Sequence, residues 1–147
     1  MNIYSRAKDP RARILSNFAH TPFIINMWGE AHACASVEGL WQGLKHKEDM
    51  RQHVCELSGF AAKKKSKKCT HFNWGDKKRI QHGSKDHYAI IREAVVQKVL
   101  HNPRVAEALK STLSVQLTHN VPSRSSNKPA FDIAKVLMDV RKELFEC

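Results

Sequence analysis

The amino-acid sequence predicts one mainly helical α+β domain that contains a few short strands. Its 147 residues are enough for one domain with a buried core but not comfortably for two. Several segments place apolar residues at helical spacing. Only short segments are rich in β-branched and aromatic residues, as strands are. We therefore expect a compact single domain over residues 1–147, with helices as its main elements.

The first elements are expected to be two extended segments and a short helix. Residues 3–5 ("IYS") and 21–28 ("TPFIINMW") have the composition of strands or extended chain. A helix is predicted over 36–45 ("SVEGLWQGLK"). The hydroxyl of Ser36 can accept a hydrogen bond from a free backbone N–H at its start, which makes this residue a good helix cap.

A second helix and a turn are predicted next. The helix covers about 47–57 ("KEDMRQHVCEL") and is expected to end at Ser58 and Gly59. The stretch "HFNWGDKK" contains asparagine, glycine and aspartate, which favour a turn around Trp74.

The C-terminal half is expected to supply most of the core. A broadly apolar helix is predicted over 86–101, followed by a new helix in which Asn102 is the cap and Pro103 the first helical residue. Residues 121–130 have the composition of a polar loop, and 131–145 form an amphipathic helix. The core-facing positions of this last helix are Ile133, Val136, Leu137, Val140 and Leu144.

The charge indicates a partner that carries phosphate. Lysine and arginine outnumber aspartate and glutamate 25 to 14, which gives a net charge of +11. The excess is concentrated in residues 61–68 and 76–87. Such a basic balance points to a nucleotide or a nucleic acid. A solvated lysine-rich loop that only keeps the protein in solution is the alternative interpretation.

Other features narrow the class of protein. The N-terminal residues contain no apolar signal-peptide region, and no apolar run approaches the roughly 20 residues of a membrane helix, so we expect a cytoplasmic protein. The four scattered cysteines predict reduced thiols rather than a disulfide framework. Since the chain contains no Cys-x-x-Cys pair, we expect neither a structural metal nor a cofactor. The cysteines are Cys34, Cys55, Cys69 and Cys147.

The helix over 36–45 carries one line of long polar side chains. At about 100° per residue, Glu38, Gln42 and Lys45 fall within about 60° of one another, and the first and last are roughly 10 Å apart along the axis. This spacing is too long for an ordinary i,i+4 ion pair and argues for a bound ligand, while a solvent-exposed face without a function stays the alternative interpretation. Gly39 and Gly43 require a close neighbour, either a backbone or the ligand itself, and we expect the ligand.

The order of several motifs resembles a known family. The stretches "YS", "LSNF", "PF" and "SVEGLWQGLK", in this order, resemble the YbiA-like N-glycosidases of the NADAR superfamily. That family combines a Ser-Asn-Phe segment with Ser/Thr-x-Glu-His-x-x-Gln-Ala-x-Lys. The later stretches "SGFAAKKKSKK", "AVVQKVLHNPRVAEALKSTL" and "KVLMDVRKEL" are also similar to family segments. The resemblance therefore covers nearly the whole chain.

The resemblance implies a fold and a chemistry. It implies a compact α+β fold and cleavage of the N-glycosidic bond of a phosphorylated ribosyl or ADP-ribosyl substrate. Examples are phosphorylated ribosylamino intermediates and ADP-ribosylated guanine in DNA, and the basic surface is a possible contact for the nucleic acid. Glu38 is expected to be the general acid or base, and Lys45 either holds a phosphate or attacks the sugar as a Schiff-base nucleophile.

The remaining expected site residues would bind the substrate. Asn17 would hydrogen-bond the sugar hydroxyls, Ser36 would combine capping with a ligand contact or only cap the helix, and the tryptophans would stack on a base or belong to the core. The basic residues would contact phosphate. This predicted set contains Asn17, Phe18, Ser36, Trp41, Gln42, Lys63, Lys64, Trp74 and Arg79.

The sequence also departs from the family pattern. Gly39 stands where the family has a histidine, and the glycine-rich stretch expected near the C-terminus is largely missing. We therefore keep two further hypotheses about the function besides that of an enzyme. One is a catalytically inactive module that binds ADP-ribose, a nucleotide or nucleic acid. The other is a basic interaction protein whose lysine runs engage an acidic partner.

Overall fold

Short helices and two small sheets precede the long helices of the C-terminal half. The computed structural model describes residues 1–27, 29–74, 78–120 and 130–146, and only the backbone of residues 74 and 78. Within these ranges it contains seven helices and two antiparallel two-stranded sheets, so the predicted mainly helical α+β fold is confirmed. In chain order the elements are α1 Pro10–Leu15, β1 Phe23–Met27, β2 Glu30–Cys34, α2 Val37–Gly43, α3 Glu48–Cys55, α4 Gly59–Lys63, β3 His71–Trp74, β4 Lys78–Gln81, α5 Lys85–His101, α6 Pro103–Lys110 and α7 Ile133–Phe145.

Helix α5 is the centre of the core, as its apolar composition predicts. It packs against β1, β4, α2, α6 and α7. Its side chains Ile90, Ile91, Ala94, Val95 and Val99 are buried. Because α5 touches elements from both ends of the chain, it fixes where α2 lies relative to the C-terminal helices.

The starts of α6 and α7 follow from local chemistry. Helix α6 begins at Pro103 as predicted, but the side chain of Asn102 does not cap it. Instead, Asn102 Nδ2 donates to the carbonyl oxygens of Pro22 and Lys98, each at 2.9 Å, and so ties the end of α5 to the segment before β1. Helix α7 is capped by Asp132. Its predicted apolar face is buried, and Leu144 packs partly against the same core.

The two sheets are only partly predictable. Strand β1 confirms the strand expected within residues 21–28 and pairs with β2 in a register that joins Phe23 to Cys34. Strand β2 was not predicted because its sequence, EAHAC, contains no β-branched residue. Strands β3 and β4 pair so that His71 faces Gln81. The turn predicted around Trp74 falls in part on residues 75–77, outside the described residues.

Several local expectations require correction. Residues 3–5 do not form a strand: the chain makes an isolated bridge between Asn2 and Thr118, with Ile3 N–H donating to the Thr118 carbonyl at 2.7 Å. Ser58 does not end α3, which stops at Cys55, but is the N-cap residue of α4. The predicted loop over 121–130 lies, except for residue 130, outside the described residues.

Helix α3 accounts for the two glycines of α2. A Cβ at Gly39 would lie 2.5 Å from the carbonyl oxygen of Leu57 and 2.7 Å from that of Cys55. A Cβ at Gly43 would lie 2.7 Å from Cys55 Sγ. The close neighbour is therefore the end of α3 and the residues after it, and the expectation that a ligand approaches these glycines is wrong.

The cysteines and helix lengths add two observations. Cys34, Cys55 and Cys69 are free thiols, and Cys147 lies outside the described residues. In the described part of the chain, the search for a helix with both the length and the apolar character to cross a membrane finds none.

Candidate active site

Ser36 fixes the start of the helix that carries the candidate site. Its Oγ accepts a hydrogen bond from Gly39 N–H at 2.9 Å and donates one to the Leu57 carbonyl at 2.9 Å. The side chain has no exposed surface. The predicted capping role is confirmed, while the predicted ligand contact of Ser36 stays a prediction, since its Oγ keeps one further lone pair but has no exposed surface.

The predicted polar row lies on one side of α2. Gln42 Nε2 donates to Glu38 Oε1 at 2.9 Å. Lys45 lies just beyond the end of the helix, held by a hydrogen bond of 3.1 Å from its N–H to the Gln42 carbonyl. Burial lowers the pKa of Lys45, and the negative charge of the Glu38 carboxylate opposes this effect by raising it. The three side chains therefore form one cluster, with Gln42 buried and the other two half-buried.

Asn17 joins this cluster through the backbone of Glu38. The Glu38 N–H donates to the Asn17 carbonyl at 3.1 Å, so the segment before β1 lies against the start of α2. The side-chain oxygens Asn17 Oδ1 and Gln42 Oε1 are both buried, and neither has a hydrogen-bond donor among the residues that the structure describes. A buried unpaired oxygen costs about 1–3 kcal/mol. One of these acceptors belongs to the amide that bonds the Glu38 carboxylate, and the other to the residue whose carbonyl accepts the Glu38 N–H; hydroxyl or N–H groups of a ligand would be stabilised by either.

A buried lysine, which was not predicted as functional, holds the Ser16–Phe18 segment in place. Lys98 of α5 is 1% exposed, and its Nζ donates to the Ser16 carbonyl at 2.9 Å. Burial lowers the pKa of Lys98 to about 7. Ser16 Oγ in turn accepts from Phe18 N–H at 3.2 Å. Lys98 thereby positions the backbone of the residue that carries one of the two unpaired oxygens.

Lys45 lies at the border between the polar row and an aromatic cluster. Its Nζ is 6.0 Å from the centre of the Trp41 ring. Burial lowers the pKa of Lys45, and Glu38 and Cys69 oppose this effect. A lowered pKa makes the neutral amine more accessible, which is the form a lysine nucleophile needs.

Two histidines complete the aromatic cluster: His82 lies in the β4–α5 turn and His87 in the first turn of α5. The His87 ring lies 4.8 Å from that of Trp41 and 5.0 Å from that of His82, while His82 lies 5.8 Å from Trp41. Phe131 packs 5.8 Å from Trp41 and closes the other side. Burial, together with the positive charges of His82 and Lys45, lowers the pKa of His87 to about 4. Burial, followed by Lys45, lowers the pKa of His82.

The sequence contained a usable signal for these histidines. In "QHGSKDH" the two histidines flank Gly83 and Ser84. Gly83 adopts φ +82°, and its N–H donates to His87 Nδ1 at 3.0 Å, while Ser84 caps α5 by accepting from the His87 N–H. A glycine-serine pair before a helix predicts a tight turn, and this turn brings both imidazoles to one side.

Phe18, the residue after Asn17, lies close to Lys63 and Phe60. The Phe18 ring packs edge-on against Phe60 at 5.2 Å, and Lys63 Nζ lies 5.9 Å from the centre of the Phe18 ring. Lys64 and Arg79 are exposed. Arg79 lies in β4 opposite Asn73. The side chain of Trp74 lies outside the described residues.

In the described part of the chain, two cavities lie next to site residues. One, of about 340 Å³, is lined by Ser5, Pro10, Arg13, Ile14, Phe18 and Ala19. The other, of about 450 Å³, is lined by Tyr88, Ala130, Phe131, Asp132, Lys135, Met138 and Asp139. Neither is lined by Glu38 or Lys45. Within the same ranges, no group of three or more His, Cys, Asp or Glu side chains has the arrangement of a metal site.

Comparison with known proteins places the chain in a family. Residues 10–140 match the profile of a family described as Bacteriophage protein GP30.3. The chain belongs to the GP30.3 family. The match includes Asn17, the whole of α2, His82 and His87.

The fold of this GP30.3 protein is that of YbiA. The chain is similar to the NMR structure of the E. coli protein YbiA, with a TM-score of 0.63 and 19% sequence identity, over 98% of this chain and 83% of that one. At this identity the likeness shows the fold alone. The resemblance to the YbiA-like fold is thereby confirmed. The search of curated proteins found no match.

Proposed function

We propose that this GP30.3 protein is an N-glycosidase that hydrolyses the N-glycosidic bond of a phosphorylated ribosyl or ADP-ribosyl substrate, such as an ADP-ribosylated nucleobase. One observation carries the proposal. Glu38 is hydrogen-bonded to Asn17 and to Gln42, and the buried amide oxygens of these two residues lack a donor among the described residues. The hydroxyl groups of a ribose are donors of the required kind. The YbiA-like fold supports the same assignment.

Glu38 is the proposed general acid and base. Cleavage of the bond requires a proton on the departing nitrogen and stabilisation of the positive charge that develops on the sugar. The Gln42 amide donates a hydrogen bond to the Glu38 carboxylate, and the Lys45 ammonium lies within reach of its charge. As the base, Glu38 stabilises the cationic sugar and takes a proton from the attacking water, and it delivers a proton to the departing nitrogen as the C–N bond breaks.

Lys45 has two alternative proposed roles. In the first, the ammonium holds a phosphate of the substrate. In the second, the neutral amine forms a bond to the anomeric carbon as the base leaves. The sugar ring then opens to a Schiff base, and water releases the sugar and restores the lysine. Borohydride reduction during turnover distinguishes them, because only the second role leaves a sugar mass on Lys45.

The other predicted residues are assigned by their place around Glu38. Trp41 offers a half-buried ring beside Lys45, suited to stacking on the base. Phe18 and Lys63 lie on the Asn17 side, where they would contact the far part of the substrate. Lys64, Arg79 and Trp74 stay predictions for phosphate and base contacts.

The test is turnover by a Glu38→Gln variant. The protein is incubated with ADP-ribosylated guanine DNA or a phosphorylated ribosylamino-pyrimidine, and released ADP-ribose or ribose phosphate is quantified by chromatography. Glu38→Gln should lower the rate at least about 100-fold, the usual contribution of a general acid or base. Glu93→Gln is the matched control, since Glu93 Oε1 accepts from Gln97 Nε2 at 2.8 Å in the same i,i+4 arrangement in α5. Wild-type activity in Glu38→Gln, or no release by the wild type, would contradict the proposal.

A binding module without catalysis is the second candidate. It is favoured by the observation that neither the cavity of about 340 Å³ nor that of about 450 Å³ is lined by Glu38 or Lys45. An open polar row can bind a ribose without excluding water from it. Calorimetry with ADP-ribose separates the two candidates: binding in the absence of turnover on either substrate supports the module.

A further inference from the structure

An exposed aromatic ring lies beside an arginine and a second aromatic ring on the Asn17 side of the candidate site. Phe60 is 54% exposed, although it is a large apolar side chain. Its ring packs edge-on against Phe18, and the Arg6 guanidinium carbon lies 5.7 Å from its centre. Lys63 Nζ lies over the neighbouring Phe18 ring. Arg6, Phe18, Phe60 and Lys63 are called the aromatic patch below.

The backbone holds the aromatic patch beside Glu38. Phe60 is the second residue of α4, which packs against α2. Gly59, with φ +57°, lies next to Phe18: a Cβ there would be in van der Waals contact with the Phe18 carbonyl oxygen, at 3.8 Å. Phe18 directly follows Asn17, whose carbonyl accepts the Glu38 N–H. The patch and the polar row are therefore two parts of one continuous region.

The charge around the aromatic patch is positive. Between Glu56 and Asp76 the chain contains five lysines and no acidic residue. Lys63 and Lys64 at the end of α4 are exposed, as are Lys67 and Lys68. On the other side of Phe18, Arg13 lines the cavity of about 340 Å³. An arginine at the exposed ring and exposed lysines at and after the end of its helix complement a ligand that carries phosphates beside a planar base.

We propose that the aromatic patch binds single-stranded nucleic acid, with an unpaired base stacked on Phe60 and the flanking phosphates on Arg6, Lys63 and the lysines that follow. A duplex presents its phosphates but not the faces of its bases, so it cannot use the ring. An acidic peptide can pair with the cations but gains nothing from an aromatic platform. The binding itself requires no glycosidase activity. It would bring a base attached to a polymer next to Glu38.

The experiment measures the binding of a fluorescent single-stranded DNA of mixed sequence, about 12 nucleotides long, by anisotropy over a range of salt concentrations. Phe60→Ala should weaken binding at least about fivefold without changing the salt dependence, because it removes stacking and no charge. Lys63→Ala should lower the slope of log affinity against log salt by about 0.7, the amount expected for one phosphate contact on a single strand. Phe60→Trp should restore or exceed wild-type affinity.

Two variants with matched surroundings serve as controls. Leu100→Ala removes another exposed apolar side chain, 62% exposed, far along α5. Lys110→Ala removes another cation that lies over a ring, 5.5 Å from the centre of Phe145. Both should bind like the wild type.

Three results would overturn the inference. They are wild-type affinity of Phe60→Ala, equally tight binding of the corresponding duplex, and displacement of the oligonucleotide by polyglutamate at equal charge concentration. Because the probe is unmodified DNA, the outcome is independent of whether the protein cleaves an N-glycosidic bond. A failed glycosidase assay and a failed binding assay therefore refute different statements.

Discussion

The buried histidine of the aromatic cluster should make the protein sensitive to acid. The His87 ring is 1% exposed and lies 4.8 to 5.1 Å from the rings of Trp41, Phe72, Phe131 and His82. Its Nδ1 accepts the Gly83 N–H at 3.0 Å, and protonation would replace this acceptor with a donor. Both the surroundings and the hydrogen bond therefore favour the neutral ring.

The size of the effect follows from the pKa of His87. Burial, and then the charges of His82 and Lys45, lower this pKa from 6.5 to about 4. Between these values the unfolded chain binds a proton that the folded protein does not. The contribution of the neutral ring to stability is complete above pH 6.5 and is lost as the pH falls to about 4. A shift of this size corresponds to about 3 kcal/mol of unfolding free energy.

The assay is urea unfolding at several pH values between 7 and about 4. His87→Phe keeps an aromatic ring but cannot be protonated, so its unfolding free energy should fall by about 3 kcal/mol less than that of the wild type over this range. The loss of the Gly83 hydrogen bond should lower the whole curve by a constant amount, because Gly83 is exposed and its N–H can bind water. His53→Phe, at an exposed position of α3, is the control and should follow the wild type.

A second measurement tests the cause of the shift. Lys45→Met removes a positive charge that faces both histidines, so the pKa of His82 and that of His87 should both rise in an NMR titration. The reasoning is refuted if wild type and His87→Phe lose stability in parallel, or if His87 titrates at its ordinary value in the folded protein.

Two further substitutions test the packing beneath the candidate site. Gly43→Ala should destabilise the protein by about 1–3 kcal/mol because its Cβ would lie 2.7 Å from Cys55 Sγ. In urea unfolding, Gly43→Ala combined with Cys55→Ala should cost less than the sum of the two single changes, and additive losses would contradict the contact. Lys98→Met removes an amine whose pKa burial lowers to about 7, so the gain in stability that the wild type shows between pH 7 and 10, roughly 4 kcal/mol at most, should disappear. Because the bond to the Ser16 carbonyl is also lost, amide exchange should accelerate in the segment that begins at Ser16, and unchanged exchange there would contradict the positioning role.

The elements that the sequence predicts well are those whose stability is local. Helices α5 and α7 are long and carry a continuous apolar pattern, and both occur where they are expected. The start of α2 at Ser36 and that of α6 at Pro103 follow from the chemistry of single residues. The short helices α1 and α4 have six and five residues, too few for a periodic pattern, although Asp9 and Pro10 give α1 a local start signal.

The residues of the candidate site also differ in how well the sequence predicts them. The row of Glu38, Gln42 and Lys45 could be predicted because its members are close in sequence and share one side of a helix. Lys98 could not, since it meets the site only through α5 and contacts a residue far away in the chain, whereas the glycine-serine pair before α5 was a usable signal for His87. Asn17 was suggested by the resemblance to a family, and the structure adds the hydrogen bond between its carbonyl and the Glu38 N–H.

The packing of α2 also bears on the residue that departs from the family pattern. Gly39 stands where the motif of the YbiA-like N-glycosidases, which the sequence resembles, has a histidine, and any Cβ there would meet the carbonyl oxygens of Leu57 and Cys55. A side chain at residue 39 would point toward the end of α3. The Glu38 carboxylate instead accepts a hydrogen bond from Gln42 and attracts Lys45. The absence of the histidine is therefore coupled to the close approach of α3, and the polar row does not depend on a side chain at residue 39. The imidazoles near Lys45 are instead those of His82, in the turn before α5, and His87, in its first turn. Burial lowers the pKa of both and so favours their neutral forms. The chemistry proposed for Glu38 is thus compatible with a glycine beside it.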